Sequence, residues 1–307
     1  MADQVLAARG NFDASYNQRD LLIYALGIGC GYYPNGEKDK YQDMKFTSEL
    51  DANFAAFPLY PVALMFKGTS HDALSYPPPS LAWLPSGIPA HNPLATLHAE
   101  QSIEIHRPLP ANGAQVTVQR RVLSVYPKGP TSGLLETEYK LIDKADGLPL
   151  CTLVFGSFLR GVEAPFKGAG PKPPKKPTMP QRPADAALAL PTSASQAYFY
   201  RLSGDYNPLH CDPDAAKTLG FKEPILHGLC TMGVAARALI QLCCGNDPNS
   251  FRKMSVRMSK PCIPGETLET RIWRVSSTSV HFQTRVVERD TVVLDGGEFI
   301  FGPASRL

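Results

Sequence analysis

The stretch Leu229-Cys230-Thr231-Met232-Gly233-Val234-Ala235-Ala236-Arg237-Ala238-Leu239-Ile240-Gln241-Leu242-Cys243-Cys244 reads as one long apolar helix. A helix of that character has to be buried. Leu226-His227-Gly228 opens it, so free backbone N–H groups stand at its start, where they suit a developing negative charge. Downstream, from Met254 to Phe301, only alternating strand patterns follow.

Working outward, Ser193 to Leu202 reads as a short helix, and Asp212-Pro213 as an N-cap with proline at the first helical position of a helix that Gly220 ends. Farther upstream lies Phe166 to Pro183, FKGAGPKPPKKPTMPQRP, where proline removes backbone donors and lysines repel one another. It reads as an extended, exposed linker. It divides the chain into residues 1–165 and 184–307, and the halves carry the same signals in the same order. Ile105 to Val122 is a strand, Pro108, a turn at Asn112-Gly113 and a second strand; Val256 to Val275 is a strand, Pro261, a turn at Pro264-Gly265 and a second strand. Each half then closes on a strand ending in Phe-Gly, at Phe155-Gly156 and Phe301-Gly302. An antiparallel sheet wrapped around one long apolar helix is a hot-dog fold, of the α+β class. The internal repeat predicts a double hot-dog, two antiparallel sheets each around a long central helix.

With 307 residues the chain can hold two ordinary domains. A hydrophobic content of 43% against 19% charged residues fits a globular protein, and no apolar run is long enough to span a bilayer. A net charge of +3, with scattered lysines and arginines, argues against a nucleic-acid binder and suits an anionic ligand. Seven cysteines without paired spacing, and no secretory leader pattern at the N-terminus, predict an intracellular protein with reduced thiols.

The chemistry concentrates in Tyr200-Arg201-Leu202-Ser203-Gly204-Asp205-Tyr206-Asn207-Pro208-Leu209-His210, which sets a carboxylate, an amide and an imidazole within six residues. That is a proton-transfer set in one short loop. Taken singly, Asp205 is an Asx-turn residue and His210 a satisfied core histidine; the joint spacing, with His227-Gly228 downstream, favours a site. His227 reads as a structural residue that shapes the helix start. A zinc reading of His210, Cys211, His227 and Cys230 fails on chelate geometry, because His210 and Cys211 are adjacent and Cys230 lies inside the apolar helix. Cys230 also lacks the base and orienting group that a nucleophile needs.

These residues resemble the signature of the R-specific 2-enoyl-CoA hydratases, the hydratase 2 domains and their MaoC-like relatives: Tyr, a short spacer, Ser-Gly-Asp, any residue, Asn-Pro, an aliphatic residue, His. The resemblance extends to Tyr24–Gly29, Leu97–Gln101, Ile105–Pro110, Ser259–Pro261 and Pro264–Leu268. It implies the double hot-dog fold and reversible hydration of trans-2-enoyl-CoA to (3R)-3-hydroxyacyl-CoA in fatty-acid beta-oxidation, with no metal or redox cofactor. Asp205 and His210 would share the water, Asn207 would fix the carboxylate or the water, and the Gly228 N–H would face the thioester oxyanion. By resemblance alone, His98, Ala99 and Met258 contact the ligand, Lys128 meets a CoA phosphate, and Glu49 matches an acidic residue of the first half. The bland readings of Met258 and Lys128 are a core methionine and a solvated turn lysine.

The first half lacks the Asp-x-Asn-Pro-x-His set and has instead a proline- and aromatic-rich insertion from Phe54 to Pro89. By resemblance this copy has lost catalysis and opened space for an acyl chain; otherwise the insertion is an irregular loop. The resemblance also implies a homodimer. Ser305-Arg306-Leu307 resembles a peroxisomal tripeptide, which predicts an import receptor as partner and residence in the peroxisome. No Gly-x-Gly-x-x-Gly follows a strand, which predicts a chain without a dehydrogenase domain. The alternatives are a (3R)-hydroxyacyl-carrier-protein dehydratase, a thioesterase, and a silent acyl-CoA binding or scaffold protein.

Overall fold

The structure, a computed structural model, describes residues 2–34, 41–81, 83, 85–91, 96–163 and 166–302. Its first half runs α1 (Ala2–Ala7), β1 (Arg9–Tyr16), α2 (Gln18–Gly27), α3 (Met44–Thr47), α4 (Pro61–Lys67), β2 (Leu97–Ile105), β3 (Ala114–Gly129), β4 (Ser132–Asp143) and β5 (Pro149–Arg160). The second half runs β6 (Ala186–Pro191), α5 (Gln196–Arg201), α6 (Pro213–Thr218), α7 (Gly228–Cys244), β7 (Phe251–Met258), β8 (Thr267–Ser276), β9 (Ser279–Val286) and β10 (Thr291–Phe301). The tripeptide Ser305-Arg306-Leu307 lies outside the described residues.

Alternation makes the strands. Along β9, Val280, Phe282, Thr284 and Val286 are buried while Ser279, His281, Gln283 and Arg285 are partly exposed, which presents one face to the core. Across the sheet the strand order is β1-β3-β4-β5-β2-β7-β10-β9-β8-β6. Outward from the centre, β2-β5-β4-β3-β1 and β7-β10-β9-β8-β6 are the same arrangement twice, so the chain is a double hot-dog of the α+β class. The two expected sheets are joined edge to edge: β2 pairs antiparallel with β7, Ile103 opposite Met254, making one continuous ten-stranded sheet. That joint removes two free edges that would otherwise be open to other chains.

α7 fills the second half as expected, with every residue from Leu229 to Ile240 buried. It stops at Gly245, which adopts the left-handed conformation at φ 57°. The first half departs from the expectation of a second long helix. Its counterpart is α4, only seven residues, all buried, and preceded by buried Phe57, Leu59 and Tyr60. The opening third of the Phe54–Pro89 insertion is therefore core rather than irregular loop. Lys67, at the end of α4, is buried too, held by Asp20 at 3.3 Å and by the Ser15 carbonyl at 2.8 Å.

Two further expectations are corrected. β5 continues past Gly156, where a Cβ would lie 2.8 Å from Glu100 Cβ, so this glycine admits a neighbouring strand rather than ending its own. The 166–183 segment has no helix or strand of its own, yet it is strapped down rather than freely exposed. Ala169 is buried and exchanges backbone hydrogen bonds of 2.8 and 3.0 Å with Val125, and Trp273 Nε1–H donates to the Arg182 carbonyl at 3.0 Å. Proline removes donors from this segment, but the remaining N–H and C=O groups still find partners on β3 and β8.

Candidate active site

The loop from Ser203 to His210 is built by its own side chains. Gly204 sits at φ +125°, and a Cβ there would stand 2.7 Å from the Lys67 backbone nitrogen. Glycine thus lets the loop turn and lie directly against α4 of the first half. Asp205 Oδ1 then accepts the Asn207 N–H at 3.2 Å, and Asn207 Oδ1 accepts the Leu209 N–H at 3.1 Å. Pro208 opens a single 3-10 turn that ends at His210. Two successive Asx turns followed by proline explain why the spacing Asp-x-Asn-Pro-x-His delivers its three groups to one place. The bland reading of Asp205 is thereby also true, since one carboxylate oxygen closes the turn; Oδ2 has no hydrogen-bond partner among the described residues.

His210 is buried and its Nδ1–H donates to the Ile225 carbonyl at 2.8 Å, which leaves the Nε2 lone pair facing the site. His227 donates from Nε2 to the Asp205 carbonyl at 3.1 Å and stacks on His210, ring centroids 3.7 Å apart. Burial sets the charges. It pushes the Asp205 carboxyl up to about 7, partly opposed by the Asn207 N–H. Burial also lowers His210 to about 4 and takes His227 well below the usual histidine range, the latter helped by neighbouring His210. At neutral pH both rings are neutral, and the carboxyl is poised between its two states.

Gly228 begins α7 directly after His227, whose side chain makes no cap hydrogen bond, so no side chain of the N-cap residue occupies the first N–H groups of the helix. A Cβ on residue 228 would lie 2.5 Å from Met258 Sδ, which places Met258 beside the helix start. Ala99 and Met258 occur where the β2–β7 ladder ends, one residue beyond the pair Glu100 and Arg257. Ala99 is also the extra residue of a bulge between His98 and Glu100 in the β2–β5 pairing. His98 stacks on Phe155 at 4.6 Å; it is lowered to about 4 by burial, and its Nε2 is buried without a partner.

Two expected residues make no hydrogen bond to the Asp205 cluster among the described residues. Glu49 is exposed in the turn after α3. The acid that this region buries is Asp43, which pairs with Arg237 of α7 at 2.8 Å and accepts from Tyr33 and Gly31. Lys128 lines a separate cavity of about 760 Å³ under the 166–183 strap, with Lys172, Lys175, Lys176, Arg257 and Glu100 among its walls and no member of the Asp205 cluster. Sequence reasoning also missed the Ile225 carbonyl, because a backbone atom leaves no residue-type signal.

A metal has one cluster to consider. Asp205, His210 and His227 offer ligand atoms within 4.8 Å of one another. The two imidazoles stack at an interplanar angle of 27°, so their in-plane lone pairs do not converge on one point about 2.1 Å from each nitrogen, as a zinc ion would require. The Cys230 thiol points instead to the Gly27 carbonyl at 3.3 Å. The set fits proton transfer and not chelation.

This geometry coincides with two family matches. Residues 175–296 match the MaoC like domain, and residues 14–161 match the MFE-2 hydratase 2 N-terminal domain. The chain is 36% identical to the Arabidopsis thaliana protein named "Enoyl-CoA hydratase 2, peroxisomal", over 95% of this chain and 93% of that one. The chain belongs to the MaoC-like hydratase 2 family. This hydratase 2 chain is also 35% identical, over 96% of its length, to mouse "Peroxisomal multifunctional enzyme type 2", of which it spans 38%. A crystal structure of a MaoC-like dehydratase from Phytophthora capsici matches with a TM-score of 0.90 and 46% identity, covering all of both chains.

Proposed function

We infer that this hydro-lyase hydrates trans-2-enoyl-CoA to (3R)-3-hydroxyacyl-CoA, reversibly. The observation that carries the reading is one carboxyl held near neutrality, one neutral imidazole with a free Nε2, and unused helix N–H groups, all at one place. The name printed for the Arabidopsis relative supports the substrate class.

In this reading Asp205 and the His210 Nε2 hold a water between them. The ionised carboxylate takes a proton as the water oxygen bonds C3, and the C2–C3 π electrons move toward the thioester oxygen. The Gly228 N–H and the α7 dipole hold that oxyanion. The proton on Asp205 then passes to C2, so water is added across the double bond and nothing is oxidised or reduced. Asn207 fixes the loop, and His227 holds the Asp205 backbone to the start of α7. His98, Ala99 and Met258 line the thioester end of the site at the junction of the halves.

The remaining assignments belong to the same proposal. The first repeat, residues 1–165, is non-catalytic and accommodates the acyl chain, and residues 184–307 carry catalysis. Lys128 meets CoA phosphates; four neighbouring cations, Lys172, Lys175, Lys176 and Arg257, outnumber Glu100 and Asp295 in that cavity. Peroxisomal residence rests on the relatives' names and on Ser305-Arg306-Leu307. A homodimer is part of the proposal as well. The test is loss of the conjugated enoyl thioester when purified protein meets trans-2-decenoyl-CoA. Turnover absent from the wild type would overturn the reading and favour a silent acyl-CoA binder.

A further inference from the structure

We propose that Arg257 and Lys176, both held by Glu100, form with Lys128 a recognition site for the phosphorylated nucleotide of CoA, and that this site sets a preference for CoA thioesters over thioesters that lack a nucleotide. The proposal rests on the hydratase reading above. It adds residues of the 166–183 strap and of β7 that lie outside the signature loop.

Glu100 joins three parts of the chain: β2, β7 and the strap. Its Oε1 accepts from Arg257 Nε–H at 3.2 Å, and its Oε2 lies 3.5 Å from Lys176 Nζ. Arg257 makes no other hydrogen bond among the described residues, so the terminal N–H groups of its guanidinium are left to meet a ligand, and their fork suits a phosphate. Asp295, opposite Arg257 on β10, is already engaged by Gln283 Nε2–H at 2.9 Å. Lys128, Lys172 and Lys175 line the same cavity of about 760 Å³ and have no carboxylate partner among the described residues. Like charges gathered in this way repel one another unless an anion fills the space. A nucleotide with several phosphates is such an anion, and the volume is that of a small-molecule site.

The strap holds its lysines in place. β10 shifts register between Asp295 and Glu298, and a Cβ on Gly296 there would stand 2.7 Å from Lys176 Cβ, so glycine lets the strap lie directly on the strand. Pro173, Pro174 and Pro177 fix the backbone on either side of Lys175 and Lys176, which lowers the entropy lost on binding. The site also stands next to the thioester end. Glu100 and Arg257 are the last pair of the β2–β7 ladder, and Ala99 and Met258 are the next residues on the two strands. The pantetheine arm of CoA would run from one to the other.

The test compares trans-2-decenoyl-CoA with the trans-2-decenoyl thioester of N-acetylcysteamine, which has no nucleotide, in the wild type and in the double variant Arg257→Gln with Lys176→Gln. KM for the CoA thioester is expected to rise about 10- to 100-fold in the variant, while kcat/KM on the short thioester stays within about twofold. Calorimetry with adenosine 3′,5′-bisphosphate is expected to show binding to the wild type that the variant weakens about 10-fold or more. An unchanged KM for the CoA thioester would overturn the proposal, as would an equal loss on both thioesters. Failure of the hydratase reading gives a different pattern: a wild type that turns over neither thioester, yet binds the bisphosphate and loses that binding in the variant, would overturn that reading while supporting the nucleotide site.

Discussion

His210 and His227 brace each other: their rings stack 3.7 Å apart, His210 is tied to the carbonyl of Ile225, and His227 is tied back to the carbonyl of Asp205. The loop that carries the carboxylate and the start of α7, proposed above to hold the oxyanion, are therefore one rigid unit. Preorganisation of that kind is what converts nearby groups into catalytic ones.

Removing the brace should loosen the site without removing either reacting group. His227→Ala is expected to lower kcat about 10- to 100-fold and to lower the melting temperature, since a buried stack and one hydrogen bond are lost. Steady-state kinetics with a thermal melt checks this. Wild-type kcat in the variant would mean that His227 only fills space.

The pH dependence follows from Asp205. The carboxylate must be ionised to take the water proton, so kcat/KM is expected to rise with pH through a limb near 7, while His210, lowered to about 4, stays neutral across that range. The stability sign is opposite. A carboxyl raised on folding binds more protons in the native state, so its contribution is most favourable at low pH and declines as pH rises from about 4 to about 7. Asp205→Asn is therefore expected to abolish turnover yet gain about 2 to 4 kcal/mol at pH 8.5, measured by urea unfolding.

Gly228 carries two separable demands. Its N–H must be reachable, and Met258 must fit against its Cα. Gly228→Ala is expected to cost about 100-fold or more in kcat and also to destabilise the protein. Adding Met258→Ala should recover the stability, because the clash is with Sδ, while kcat stays low because the new methyl still covers the N–H. Melting curves and kinetics on the single and double variants separate the two.

Asp43 and Arg237 form the buried ion pair that ties the first half to α7, both about 3% exposed or less. Asp43→Ala would leave the Arg237 charge buried without its carboxylate, with the Ile28 carbonyl at 3.3 Å still accepting from it. A loss of about 3 to 5 kcal/mol is expected in chemical unfolding. A loss under about 1 kcal/mol would contradict the assignment.

What was legible in the sequence was local. Sixteen of the seventeen residues of α7 announce themselves by length and apolarity, and the Asp205–His210 geometry is written into two Asx turns and a proline. The repeat order was legible because each strand alternates. What stayed hidden was long-range. Asp43 and Arg237 lie 194 residues apart, so nothing in either neighbourhood marks the pair. The helix α4 is too short for a periodic signal, and its proline- and aromatic-rich flanks read as loop. The edge-to-edge joint of β2 and β7 depends on which strand ends up at which edge, which alternation does not encode.

The measurement that tests the central claim most directly is the configuration of the product. Purified protein on trans-2-decenoyl-CoA is coupled separately to R-specific and S-specific 3-hydroxyacyl-CoA dehydrogenases, with Asp205→Ala beside the wild type. The account predicts signal from the R-specific couple alone, and none from the variant. Product of S configuration, or undiminished turnover by Asp205→Ala, would contradict it.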